Sequence, residues 1–234
     1  MINKSFFLKG YRSIFTHDSP AIALTCCFIA IGALFKNLGF NLQESIFSTI
    51  LTYALPGSLV MAESMLIGAS LINIFLAVWV VNARLYPMAV SLFPLMMHKS
   101  QPKWKYYFSC HFIAVSAWLI MKSNYRKIPK EYRIDYWIGI GCAAMSASIF
   151  GTVIGYSFSE HLSKDMMMGL AILNPIYFMC MLVGASKTIT ITLSVLLGII
   201  LGPIIYLFSP EWSILLAGLI GGTIAYLVGE HIVS

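Results

Sequence analysis

Long apolar runs joined by short polar links dominate this chain, and they restrict its fold more than any single motif does. They fall at 20–38, 46–61, 63–81, 85–97, 106–121, 136–158, 166–184, 188–208 and 214–233. Backbone groups in lipid must pair internally, which admits only helices or a closed barrel. The runs lack the strict alternation of barrel strands, so helices remain. At about 20 residues per span, the length allows roughly seven to nine spans and no separate soluble domain. The expected fold is all-α: a polytopic transmembrane helical bundle over 20–234, with broken or short helices, preceded by a basic arm over 1–19.

Charge agrees with this class. Charged residues make up 10% of the chain, against about 25% in soluble domains, and mean hydropathy is +0.83. In a soluble protein the net charge of +6 would suggest nucleic acid, but no basic run is interleaved with aromatics, so that partner is excluded. Lysine and arginine in short loops instead orient a multi-pass protein in the cytoplasmic membrane, with the basic arm inside. No small-residue cleavage site follows the first apolar run, so the arm reads as uncleaved. The five cysteines form no CxxC pair and read as small buried hydrophobes without a disulfide framework.

The stretch 53–97 is the most informative. It is almost wholly apolar yet carries Pro56-Gly57, Glu63, Asn82-Ala83-Arg84, Pro87 and Pro94. An arginine facing lipid at mid-depth costs roughly 3 kcal/mol or more, so Arg84 must turn inward, sit at an interface or touch a wet cavity. Pro56 is expected to bend the second run by freeing a carbonyl one turn earlier. Glu63 is expected in the first turn of the next helix, where the dipole favours a carboxylate, with proton coupling as its functional alternative. On one straight helix Glu63 and Arg84 would stand about 31 Å apart and could not pair. After Arg84 the short run to Met97 reaches only about 20 Å. Short, proline-interrupted segments of this kind point to a transporter site.

The run 106–121 lies between two basic loops, so a single crossing would put one of them outside, against the charge rule. It is expected to lie in the interface, re-enter or tilt rather than span. In the second half, Gly151 and Gly155 offer a small face for close helix contact, while Asn174-Pro175 and Gly202-Pro203 interrupt two runs. Pro56 and Pro175 recur at similar distances from the first run of each half. That spacing suggests repeats over 20–121 and 136–234, with chance recurrence as the alternative.

No catalytic constellation stands out. The histidines lack ligand spacing, and neither GxSxG nor a phosphate loop occurs, so no catalytic residue, metal ligand or cofactor is assigned. His111 is the histidine well inside an apolar run, where a satisfied interfacial role competes with a proton relay. The Met166-Met167-Met168 triple reads as a helix start.

The string from Thr52 to Met96, TYALPGSLVMAESMLIGASLINIFLAVWVVNARLYPMAVSLFPLM, resembles the signature region of the AzlC family, the large subunits of bacterial branched-chain amino acid exporters. Asn82 and Arg84 match the family's Asn-x-Arg. Leu85 stands where that pattern has His, Ser58 where it has Gln, Ser109-Cys110-His111 where it has Thr-Asp-Glu, and Ala171 where it has Asp before the later proline, Pro175. The resemblance implies a secondary transporter subunit that exports a small amphipathic solute, a branched-chain or other hydrophobic amino acid, and a small AzlD-like membrane subunit as partner. Arg84 would face the solute's carboxylate. Asn82, Ser58, Asn174 and the backbone freed around Pro56, Gly57 and Pro175 would supply neutral hydrogen bonds, and Glu63 and His111 are the candidates for proton coupling. The alternative is a non-transporting structural or regulatory membrane subunit, with a membrane-embedded enzyme as a third reading.

Overall fold

A computed structural model describes residues 2–16, 20–66, 68–161, 163, 165–166, 169, 172, 189–208 and 213–233. Among them the chain is helical and has no strand. The helices are α1 (Lys4–Ser13), α2 (Pro20–Asn37), α3 (Leu42–Thr52), α4 (Leu55–Leu66), α5 (Leu71–Asn82), α6 (Leu85–Met96), α7 (Lys103–Ser109), α8 (Val115–Asn124), α9 (Arg133–Ser157), α10 (Ile189–Phe208) and α11 (Ser213–Val233).

The post around which the others pack is α9. Its 25 residues reach about 37 Å, enough to cross a bilayer. Its glycines let two helices approach at backbone distance. A Cβ on Gly139 would overlap the Phe7 carbonyl oxygen in α1, and one on Gly155 would overlap that of Ile29 in α2. The small face expected at Gly151 and Gly155 is thus the α2 contact, because Gly151 also lies against Thr25 and Phe28 of that helix. Phe28, Phe35, Trp137 and Ile140 fill the core between these helices.

Local chemistry sets the ends. Gly39, with φ of 85°, terminates α2: the Phe40 N–H donates to the Phe35 carbonyl at 3.1 Å, and the two rings stack, the glycine-ended stop expected of such a sequence. Asn41 then opens α3 in a reciprocal capping box with Glu44, satisfying two free donors.

Two expectations are corrected here. Pro56 does not bend a continuous helix. The chain turns back at Tyr53-Ala54, and Pro56 sits in the first turn of α4, where its missing N–H has no intrahelical partner to lose. Antiparallel pairings follow: Thr52 Oγ1 meets Ser58 Oγ at 2.7 Å, and Ser48 faces Met61. Glu63, likewise, does not begin a helix. It is exposed near the end of α4, because Gly68 (φ 69°) turns the chain and Ser70 caps α5.

The second hairpin comes from the opposite end. After α7, the backbone tightens over Cys110–Phe112 and returns as α8. At 7 and 10 residues, the two helices reach only about 10 and 15 Å. Their flanking basic loops meet: Gln101 Nε2 donates to the Glu131 carbonyl at 2.8 Å, and Lys105 Nζ binds Asp135 Oδ1 at 2.8 Å in full burial. Both ends of residues 106–121 therefore lie at the same end of the bundle, as the charge rule requires of two basic loops retained on one side. The segments gathered at this end, 4–12, 99–105 and 122–133, hold eleven of the fifteen lysines and arginines.

Between the hairpins, α5 and α6 form a pair bent by 47° at Ala83-Arg84, together apolar and long enough for a broken span or a re-entrant loop. Arg133 Nη1 and the Tyr106 hydroxyl cap the last carbonyls of α6, at Leu95 and Met96. Lys130–Ser157 and Thr190–Phe208 are long and apolar enough to cross a membrane. α10 and α11 pair antiparallel, with Gly221 against Leu197 and Gly229 against Thr190.

Candidate functional site

Two half-depth hairpins thus enter from opposite ends, and their tips touch. The last turn of any helix leaves carbonyls unpaired. In α3 the Ile50 carbonyl accepts from His111 Nε2 at 2.7 Å, a bond supplied by the opposing tip. The Tyr53 ring lies 5.6 Å from that imidazole and edge-on to Phe112 at 6.1 Å. Among the described residues Tyr53 is the one non-glycine with positive φ, at 48°. Such strain in a bulky residue persists only where the surroundings enforce it, and it gathers at functional sites.

A cavity of about 290 Å³ lies at this junction, walled by Thr52, Tyr53, Ala54, Leu85, Tyr86, Ala89, Cys110, His111 and Ile113. Its wall is mostly apolar with a few polar atoms, the usual make-up of a small-molecule site. Three helices, α4, α6 and α8, start here with their positive dipole ends at the junction. Neither α6 nor α8 has a side-chain cap. α3, α5 and α7 end here, with their carbonyls. Facing ends of broken helices bind both signs of charge in transporters.

The predicted site residues divide into four groups. Gly57 and Asn82 are brought together, so that a Cβ at Gly57 would come within 2.7 Å of Asn82 Nδ2. Ser58 is buried on Thr52, Pro56 stands beside it, and His111 lines the cavity. Arg84 occupies the α5–α6 bend next to Leu85 rather than the cavity wall itself, and its Nε is buried without a protein partner. Tyr53 Oη and Asn82 Oδ1 share that condition. Leaving a buried polar atom unpaired costs about 1–3 kcal/mol, and these three fall at the α3–α4 turn and the α5–α6 bend. Glu63 stands apart, exposed on α4, and forms no ion pair with Arg84 among the described residues. Asn174 and Pro175 lie outside the described residues.

Sequence reasoning missed Tyr53, Tyr86 and Cys110 as lining residues, and it missed the buried Lys105–Asp135 pair. Tyr53 gave a usable signal, standing just ahead of Pro56-Gly57. The ion pair gave none, because Lys105 looked like one more loop cation. Among the described residues no three His, Cys, Asp or Glu side chains gather as metal ligands.

Comparison with known proteins agrees with this architecture. The model of the AzlC protein family matches residues 20–162, the stretch from α2 through the turn after α9. The chain belongs to the AzlC family. That family is associated with branched-chain amino acid transport and is a transporter family. An uncharacterized membrane protein of Helicobacter pylori strain 26695 is 24% identical over 215 residues, covering 90% of this chain and 91% of that protein. A second, from strain J99, is 23% identical over 213 residues with the same coverage. These relatives and the candidate spans describe an AzlC-family membrane protein. No solved structure matches the chain.

Proposed function

We propose that this AzlC-family chain is the translocating subunit of a secondary transporter that exports a branched-chain or similarly hydrophobic amino acid across the cytoplasmic membrane. The observation that carries the reading is the cavity between opposed hairpin tips, beside a broken helix with unpaired polar atoms. At about 290 Å³ it lies at the small end of the ligand-pocket range, which suits one amino acid. The solute's carboxylate would meet the helix starts and the Arg84 guanidinium, its ammonium the helix-ending carbonyls, and its aliphatic side chain Leu85, Ala89 and Ile113. Each buried methylene adds only about 0.8 kcal/mol, so charge recognition sets orientation and apolar contact sets preference.

The basic end faces the cytoplasm in this reading, as the retention of lysine and arginine there implies. His111 is the better candidate for proton coupling, because it bridges the hairpins, whereas Glu63 lies on the outside of α4. A small AzlD-like subunit would cover part of the apolar exterior, such as α5, which has no buried residue among those described. Residues 20–234 act as one transmembrane domain. The repeat proposed for its halves involves Asn174-Pro175 as the counterpart of the Pro56 break.

The test is flux. Proteoliposomes holding the chain, with and without its small subunit, are loaded with labelled leucine. Saturable efflux is expected, falling about tenfold or more in Arg84→Ala and Arg84→Lys, as for loss of a charged hydrogen bond. No saturable flux in either preparation would favour a non-transporting structural or regulatory subunit. Wild-type rates in well-inserted Arg84 variants would remove Arg84 as the anchor.

A further inference from the structure

A second cleft, of about 830 Å³, opens between α1 and α8 at the basic end. One face of α1 is used up on α9, where a Cβ on Gly10 would overlap the Tyr136 carbonyl oxygen and Phe6 stacks on Tyr132. The other face is left to the cleft. Leu8, Lys9 and Arg12 line it from one side, and Ile120 and Asn124 from the other.

Lys9 and Arg12 are three residues apart, so both cations stand on the same helix face and can reach one group between them. Neither takes part in an ion pair among the described residues, and no acidic side chain lines the cleft. The neutral groups contribute less. The hydroxyls of Ser13, Thr16 and Ser123 and the amide of Asn124 already donate to nearby carbonyls. The Ser5 and Tyr136 hydroxyls remain as neutral donors in the lining beside the two cations, a set that matches an anion with several acceptor oxygens: a phosphate group.

Shape separates the two sources of phosphate. A free ion would leave most of the cleft unfilled, with Leu8 and Ile120 wetted around it. A phospholipid would set its glycerol and first methylenes on those side chains. Basic pockets at this membrane face are where anionic headgroups collect. We infer that the α1–α8 cleft holds the phosphate of an anionic phospholipid, gripped by Lys9 and Arg12, so that α1 straps the membrane surface to the head of α9. The inference does not depend on which solute the protein carries.

The test uses the full chain, stripped of lipid in neutral detergent, with bound lipid counted by native mass spectrometry. Phosphatidylglycerol is expected to bind in preference to phosphatidylcholine. The double variant K9Q/R12Q should lose about tenfold or more of that binding, the size expected for two cations near an anionic surface, while K99Q/K103Q, at the same end but outside the cleft, keeps it. S5E leaves both cations and adds a carboxylate beside them; it should weaken binding too, and decides the matter if the double variant fails to fold. Undiminished phosphatidylglycerol binding in K9Q/R12Q or S5E, or equal loss in K99Q/K103Q, would overturn the site. Displacement of the lipid by inorganic phosphate at matching concentration would make it a free-anion site and overturn the lipid assignment.

Discussion

His111 shows how one side chain can couple two elements. Its Nε2 donates to the Ile50 carbonyl, which α3 cannot satisfy internally at its end. His111→Ala should therefore destabilise the detergent-solubilised protein by about 0.5–1.5 kcal/mol, read as a lower thermal midpoint. His111→Gln, which retains a donor, should recover part of the loss. The glycines allow a sharper contrast. A Cβ at Gly155 would overlap the Ile29 carbonyl oxygen of α2, while one at Gly198 would meet nothing. Gly155→Ala should cost about 1–3 kcal/mol through forced backbone shifts, and Gly198→Ala should leave the midpoint unchanged or raise it slightly. The buried pair of Lys105 and Asp135 gives a third contrast. Lys105→Met alone strands a carboxylate and should cost about 3–5 kcal/mol, whereas Lys105→Met with Asp135→Leu should cost less. Equal losses for the single and double variants would mean that the charge pairing is not what matters there.

The opposed hairpins are the elements that define the architecture. If α7 and α8 re-enter, single cysteines at Ser100 and Lys127 in a cysteine-free background should be labelled from the same side of sealed vesicles. Cysteines at Gly39 and Gly68 should be labelled from the other side. Labelling of Ser100 and Lys127 from opposite sides would make the segment a span. This element was partly legible in the sequence, because two basic loops flanking a short apolar run cannot both be retained by a single crossing. The α3–α4 hairpin was less legible. Pro56 announces a break, but proline serves equally inside a bent helix or in a first turn, and only the antiparallel contacts of Thr52 with Ser58 decide between them. Glu63 was misassigned for a related reason: the apolar run continues through Gly68, and hydropathy does not register the turn that a single glycine permits.

Across the whole molecule, the class was readable from composition and run length, since lipid leaves the backbone few options. The convergence was not. Residues 53, 86 and 111 are far apart in sequence, and each had an ordinary structural explanation by itself. What brings them together is the long post of α9 with glycine-lined faces, against which the N-terminal helices and both hairpins are fixed. The polar atoms at the junction and the apolar wall beside them follow from that arrangement, and so does the proposed route for an amphipathic solute. Cys110 lines the cavity and provides a native probe of it. With Cys110 kept as the sole cysteine, its alkylation by a membrane-impermeant maleimide in sealed proteoliposomes tests the route directly. The account predicts that Cys110 reacts, and that saturating leucine slows the reaction several-fold while glycerol does not. A thiol that stays unmodified from both sides, or reacts at one rate with and without leucine, would contradict it.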